Sequence, residues 1–145
     1  MQIFIAGNVP SSKNSKVATS KGVFHSKTVR GYLQQIGVKK YHKQEHENYR
    51  NRANQFEIAV RPLKEHLSHK EPPYAMGMHF IRDTHRKFDF INAVQIICDL
   101  LVAHGVIEDD NMDFLLPFPL KMDGQWYTVN KEKAGVIIEL EKGEV

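Results

Sequence analysis

The sequence predicts an α/β fold of two layers (α+β), with a mixed sheet of about four to five strands and helices on one face. Extended apolar segments near both ends and in the middle of the chain predict the strands, and segments with helical periodicity lie between them. The chain has 145 residues, enough for one domain with a sizeable core. We therefore assign residues 1–145 to a single domain.

The first third of the chain predicts two strands and one helix. Gln2–Ala6 is the first strand, and the polar residues 11–16 form a loop after it. Gly22–His25 is a candidate short strand, and residues 28–36 are a candidate short helix.

The middle of the chain predicts a helix followed by a strand. Apolar residues recur at helical spacing over residues 49–67, where Pro62 is expected to kink the helix or to begin a new one. In residues 74–80, apolar side chains alternate with small or polar ones, including Gly77 and His79. This alternation is typical of a strand that is buried on one face.

The clearest helix covers residues 91–102. Its apolar side chains form one wide face, and Asn92, Gln95 and Asp99 form a polar stripe. Gly105 is expected to end this helix, because glycine readily takes the left-handed conformation after the last turn.

The last third predicts an edge strand, a turn and a final strand. Residues 114–122 contain two prolines, which lack the backbone N–H that a central strand needs. Asp123-Gly124 signals a turn, and Gly135–Leu140 is the final strand.

The composition is that of an ordinary globular protein, with 41% hydrophobic and 26% charged residues. Cys98, the single cysteine, lies on the apolar side of its helix and is expected to be an inert core thiol in a reducing compartment. The chain begins without the pattern of a signal peptide, and no apolar run reaches membrane-spanning length. We therefore expect a cytoplasmic protein with no membrane partner.

Charge is distributed unevenly along the chain. Residues 1–44 contain eight Lys or Arg and no Asp or Glu, whereas the whole chain carries +3, so the remaining residues carry −5. A long segment without carboxylates favours phosphate binding, and a solvated basic surface is the alternative.

Carboxylates stand at both ends of the 91–102 helix. Asp89 precedes the helix, and Glu108, Asp109 and Asp110 follow the glycine that ends it. If the fold brings them together, they suit a hard cation such as Mg²⁺, which prefers carboxylate oxygen and usually works on phosphates. The alternative is that Asp89 only caps the helix and that the acidic cluster is a solvated turn.

Several motifs follow one another in a specific order. They are IFIAGNVPSSKN (residues 3–14), KFDFIN (87–92), DLL (99–101), Gly105 and the pair Asp109-Asp110. In order and spacing they resemble the RusA-like Holliday junction resolvases, small dimeric endonucleases of phages and prophages. The resemblance covers most of the chain.

The resemblance implies a structure-specific endonuclease that depends on Mg²⁺ (or Mn²⁺), cuts branched DNA in recombination and repair, and works as a homodimer. It implies Asp89, Asp109 and Asp110 as metal ligands and catalytic carboxylates. Asn92 and Asp99 are expected to be structural and to bond to a loop or capping neighbour, although the place of Asn92 beside Asp89 also lets it orient a ligand. Contacts to the DNA backbone are expected from Lys13, Asn14, Lys16, Lys21, Lys27, Arg86 and Lys87.

Two positions depart from the family pattern. Ile91 stands where the family has its second Asp, and Gln95 stands where it has a lysine. The first change removes a metal ligand, so a cation would rely more on water, on Glu108 or on the DNA phosphate. The second removes a positive charge that could stabilise the transition state. One alternative is therefore a junction-binding protein that has lost cleavage. A prophage protein with a protein partner is another, and it explains the basic segment least well.

Two histidine pairs have the spacing of metal ligands, His42 with His46 and His66 with His69. Neither pair has a third ligand at a closing distance in the sequence, so solvent-facing helix histidines are the better interpretation. The chain has no nucleophile elbow, P-loop or dinucleotide fingerprint.

Overall fold

The structure is a computed structural model that describes residues 1–11, 16–19, 22–25, 27–36 and 55–140, with only the backbone described for residues 16–19, 22–25 and 27. In chain order, the elements within these ranges are β1 (Gln2–Ala6), β2 (Lys16–Thr19), β3 (Gly22–His25), α1 (Lys27–Gln35), α2 (Gln55–Leu67), β4 (Tyr74–Arg82), α3 (Phe90–Ala103), β5 (Leu115–Pro119), β6 (Thr128–Val129) and β7 (Gly135–Leu140).

Five of these strands form a mixed sheet. The order is β1-β7-β4-β5, and β6 pairs with the far end of β4, beyond the residues that pair with β5. β7 runs antiparallel to β1 and β4, whereas β5 and β6 run parallel to β4. β2 and β3 form a separate antiparallel hairpin. The predicted α/β class and the mixed sheet of four to five strands are confirmed.

The core lies between the helices and one face of this sheet. Strand register places Ile5, Val136 and Phe80 side by side across β1, β7 and β4, and all three are buried. The same cluster contains buried side chains of α1, α2 and α3. On the opposite face of the edge strand β1, Phe4 is 43% exposed. The burial of one strand face against the helices explains the two-layer arrangement.

The strand β4 is buried on both faces along Met76 to Phe80, so the prediction of a strand buried on one face is wrong. Side chains of β5 and the chain after it cover the second face. Phe118 packs over Gly77, where an added Cβ would lie 2.9 Å from the ring. His79 Nδ1 donates to the Leu120 carbonyl at 2.8 Å, and Nε2 pairs with Thr128 Oγ1 at 3.1 Å. Both polar atoms of this buried ring are therefore satisfied.

The helix α3 ends as the sequence predicts. Gly105 has φ +68°, its N–H donates to the Val102 carbonyl at 3.0 Å, and the N–H of Val106 donates to the Leu101 carbonyl at 2.9 Å. These two bonds form a Schellman motif, and the buried side chains of Val106 and Leu101 accompany it. The motif turns the chain back along the helix and so directs the acidic loop that follows.

The other predicted elements are mostly confirmed. Pro62 lies inside α2, and the helix continues through it, so the prediction of a new helix at this residue is wrong. Pro62 and Ile58, whose carbonyl loses its helical donor, are both on the exposed side, where water can compensate. Residues 49–54 of the predicted helix lie outside the described residues. The short strands β2 and β6 are not predicted from the sequence.

Cys98 is buried, as predicted for a core thiol. Burial, and in second place the charges of Asp110 and Asp99, raises the pKa of the thiol to about 12. Because the thiolate is the nucleophile, we expect alkylation of native Cys98 between pH 7 and 9 to be at least about 100-fold slower than in the unfolded chain. Mass spectrometry after iodoacetamide treatment, with and without denaturant, measures this ratio. Equal rates in both conditions would contradict it.

None of the helices in the described ranges combines the length and the apolar character that crossing a membrane requires.

Candidate nucleic-acid interface and metal site

Asp89 is the N-cap of α3. Its Oδ1 accepts hydrogen bonds from the backbone N–H groups of Ile91 at 3.0 Å and Asn92 at 3.4 Å. The capping role proposed from the sequence is therefore confirmed. The cap uses one carboxylate oxygen, and no described residue donates to Oδ2, so Asp89 can cap the helix and bind a ligand at the same time.

The loop after β1 is fastened beside Asp89 by three bonds. Asn8 Oδ1 accepts from the Asp83 N–H at 3.1 Å, and Arg82 Nη1 donates to the Val9 carbonyl. Asn92 Nδ2 donates to the Ser11 carbonyl at 3.2 Å. Asn92 therefore joins the capped helix end to the loop from which the basic segment continues in the sequence.

Between this loop and α3 lies an open cleft of about 480 Å³, which we call the Asp89 cleft. It combines two cations with one carboxylate and with several polar groups. Its lining consists of Asn8, Pro10, Ser11, Thr28, Arg82, Lys87, Phe88 and Asp89.

Arg82 is the unusual group in this cleft, because it is only 9% exposed. Its guanidinium carbon lies 4.8 Å from the centre of the Phe88 ring, and its Nε has no hydrogen-bond partner. Burial lowers the pKa of Arg82, and the nearby Asp83 and Tyr127 act in the opposite direction. No carboxylate of the described residues forms an ion pair with it.

The acidic loop folds back onto the polar stripe of α3. Gln95 Nε2 donates to Asp99 Oδ1 at 2.8 Å and to Asp110 Oδ2 at 3.1 Å. Gln95 follows Asp89 by six residues, which corresponds to about 9 Å along a helix axis. The fold thus places Asp110 beside the helix that Asp89 begins. Among the described residues, Asp99 bonds to a residue of its own helix, not to a loop or capping neighbour.

Asp109 and Asp110 differ in how many of their carboxylate oxygens already accept hydrogen bonds. Asp109 uses both oxygens within the loop, Oδ1 for the Asp110 N–H at 2.7 Å and Oδ2 for Asn111 Nδ2 at 3.1 Å. Asp110 accepts from Gln95 through Oδ2, and no described residue donates to its Oδ1. Of the two carboxylates, Asp110 is therefore the better placed to bind a metal ion. Glu108 is exposed.

Within the described ranges, no three His, Cys, Asp or Glu side chains are grouped so that they could hold one metal ion. The predicted convergence of Asp89, Asp109 and Asp110 on a cation is not visible as such a group, and the metal site stays a prediction. His69, in the turn after α2, is exposed and pairs with Glu65 of that helix at 3.5 Å, as expected for a solvent-facing histidine. His42 and His46 lie outside the described residues.

The predicted DNA contacts are only partly described. Arg86 and Lys87 are exposed, and Lys87 lines the Asp89 cleft. Lys16 and Lys27 belong to β2 and α1, of which only the backbone is described at these positions. Lys13, Asn14 and Lys21 lie outside the described residues.

Asn8, Thr28 and Arg82 line the cleft but are absent from the predicted site. The sequence holds one signal for Arg82, a cation that directly follows a run of apolar residues in a strand, which is a rare place for a charge. Its position beside Asp89 depends on contacts between distant parts of the chain.

A second open cleft of about 580 Å³ adjoins the first, and we call it the aromatic cleft. The two clefts share Lys87 and Phe88. Trp126, which is 58% exposed, lines the second cleft, and Lys121 Nζ lies 5.3 Å from the centre of its ring. The remaining lining residues are Phe90, Pro119 and Tyr127.

Comparison of the sequence with protein-family models and with curated proteins found no match. The similarity to the RusA-like resolvases rests on the motifs in the sequence, and membership of that family stays a prediction.

Proposed function

We propose that this protein is a Mg²⁺-dependent endonuclease that acts on branched DNA such as Holliday junctions, in recombination and repair. We further propose that it works as a homodimer in the cytoplasm. A junction has two-fold symmetry, and paired cuts require two symmetric sites.

The observation that carries the proposal is the return of the acidic loop to α3. Asp89 and Asp110 are matched by the resolvase motifs, and Gln95 links Asp110 to the helix that Asp89 caps. Each carboxylate retains one oxygen that accepts no hydrogen bond from the described residues. Basic groups adjoin Asp89 in the same cleft, which suits a substrate of phosphodiesters.

In this proposal Asp89 and Asp110 hold the metal ion, with Asp109 as the third carboxylate. A bound metal would activate water and neutralise the scissile phosphate. The residues of the chain bind and orient the backbone. Lys87 contributes an exposed charge at the cleft, and Asn92 fixes Asp89 relative to the loop before the basic segment.

The alternative function is junction binding without cleavage. Two observations favour it, Ile91 in place of a ligand and the bond that ties Asp110 to the neutral Gln95. In that case the clefts and the basic segment bind DNA, and the carboxylates only shape the fold.

The test is incubation of purified protein with a synthetic four-way junction and with a linear duplex, with and without Mg²⁺ or Mn²⁺. We expect the protein to bind the junction more tightly than the duplex and to bind both more weakly as the salt concentration rises. The reason is that each Lys or Arg side chain that contacts a phosphate releases a counterion from the DNA. Cleavage in metal supports the endonuclease, and binding without cleavage supports the alternative. Binding that does not change with salt concentration, or that shows no preference for the junction, contradicts both the endonuclease and the junction-binding alternative. Light scattering should give twice the mass of one chain.

A double change tests the two departures from the family pattern. Ile91 is 76% exposed in the first turn of α3, so Ile91→Asp adds a carboxylate where the helix dipole favours it by about 0.3–1 kcal/mol. Gln95→Lys replaces a neutral donor by a charge beside Asp99 and Asp110. In the parent chain we expect a metal Kd in the millimolar range and faster cleavage with Mn²⁺ than with Mg²⁺. We expect Ile91→Asp with Gln95→Lys to raise the cleavage rate and to bind the metal more tightly than the parent does. Kinetics on labelled junctions measure this. Persistent inactivity with intact junction binding would favour the alternative.

A further inference from the structure

We propose that the Asp89 cleft binds a phosphate group and that the guanidinium group of Arg82 holds it. Binding of a phosphate follows from the cleft itself, whereas its assignment to a DNA backbone rests on the proposed function. Arg82 would then be a binding residue for that substrate, in addition to the lysines and arginines predicted from the sequence.

The burial of Arg82 is the first argument. Arginine keeps its charge at any ordinary pH, and a buried charge normally has a carboxylate partner. Arg82 is 9% exposed, and among the described residues it has no ion pair and an Nε without any partner. A buried cation that lines an open cleft and has no ion pair among the described residues is suited to an anion that enters from solution.

The rigidity of Arg82 is the second argument. Nη1 donates to the Val9 carbonyl, and the guanidinium carbon lies over the Phe88 ring, 4.8 Å from its centre. These two contacts hold the guanidinium before any ligand arrives, so little conformational freedom is lost on binding. A guanidinium offers several donors in a fixed plane, which matches the oxygens of a phosphate.

The remaining lining of the cleft fits the same ligand. Lys87 adds an exposed positive charge, and Asn8 uses its Oδ1 for the Asp83 N–H, so its Nδ2 is a donor. Asp89 supplies the opposing charge, and its Oδ1 is occupied by the helix cap. An anion is therefore favoured on the side of Arg82 and Lys87, away from Asp89.

NMR of the ¹⁵N-labelled full chain tests the proposal directly. Inorganic phosphate, and then a thymidine dinucleotide, are titrated while the Nε–Hε resonances of the arginines are followed. We expect a saturable shift of the Arg82 resonance, with smaller shifts of the Asn8 and Lys87 amides, for both probes. A shift for the dinucleotide but none for free phosphate assigns the site to a diester. An Arg82 resonance that stays in place with both probes, or that moves only as all arginines move, overturns the proposal.

Arg82→Lys keeps the positive charge but removes the planar guanidinium with its several donors. We expect it to weaken phosphate binding at least 10-fold, read from the Asn8 and Lys87 amides. Arg61→Lys is the matched control, since Arg61 is an exposed arginine of α2 outside the cleft, and it should bind as the parent does. Equal binding by Arg82→Lys overturns the proposal. If that variant does not fold, the titration of the parent chain decides alone.

The two proposals fail separately. Phosphate binding at Arg82 in a protein that shows no preference for branched DNA supports this site and removes the proposed function. Junction binding or cleavage without any response of the Arg82 resonance supports the function and overturns this site.

Discussion

Replacement of Asp89 by asparagine is expected to abolish metal-dependent cleavage of a four-way junction, with a loss of at least about 100-fold in rate. Groups that merely support a metal ligand contribute about 10- to 100-fold, so the loss of a direct ligand should cost at least as much. Junction binding should stay unchanged or improve, because the change also removes a negative charge from the cleft that we propose binds phosphates. Single-turnover cleavage and gel-shift measurements on the same preparation separate these effects.

The structure indicates that Asp89→Asn removes the charge of the side chain without disturbing the fold. Asp89 caps α3 through Oδ1, and asparagine caps a helix about as well as aspartate does, so the fold should be preserved. Asp123→Asn is the matched control, since Asp123 lies in a turn outside the predicted ligands at φ +50°, a conformation that asparagine tolerates. Full cleavage by Asp89→Asn, or equal loss in both variants, would remove Asp89 from the proposed mechanism.

The second large effect is on stability and concerns Gly135→Ala. Gly135 begins β7 and pairs with Ala6 of β1 and Ile81 of β4. An added Cβ would lie 2.4 Å from the Ile5 carbonyl oxygen and 2.5 Å from the Phe4 ring. The backbone of β1 cannot give way as a side chain can. We expect a loss of roughly 3 kcal/mol, at the upper end for overpacking, and a Tm lower by roughly 10 °C.

Gly31→Ala is the control, because its expected change in stability has the opposite sign. Gly31 lies on the exposed side of α1, and an added Cβ would meet nothing within 4 Å. Alanine in a helix is favoured over glycine by about 0.5–1 kcal/mol, so this variant should be slightly more stable. Thermal and urea unfolding of the two variants measure both changes. A Gly135→Ala protein as stable as the parent would mean that β1 and β7 do not pair as described.

Local patterns predict most of the fold because they act over a few residues. The helix over residues 91–102, its end at Gly105 and the cap at Asp89 depend on side chains within a few positions of one another. The turn at Asp123-Gly124 is of the same kind, with positive φ at both residues. Such features need no information about distant segments.

The site is harder to predict because long-range contacts build it. Arg82 bonds to Val9, Asp83 to Asn8, and Asn92 to Ser11, across 73, 75 and 81 positions of sequence. Periodicity carries no information about such pairs. The same reason explains why β4 is predicted with one exposed face, since the segment that covers His79 lies about forty residues later, at Leu120.

Trp126 gives the chain an optical reporter of its own. It is the single tryptophan of the sequence, it is largely exposed, and it lines the aromatic cleft that shares Lys87 and Phe88 with the Asp89 cleft. Lys121 lies over one face of its ring, so a nucleobase that stacks on that face displaces this charge, and stacking on either face changes the surroundings of the indole. Unlabelled protein can therefore be titrated with DNA in a fluorimeter, and its emission arises at one known position beside the clefts.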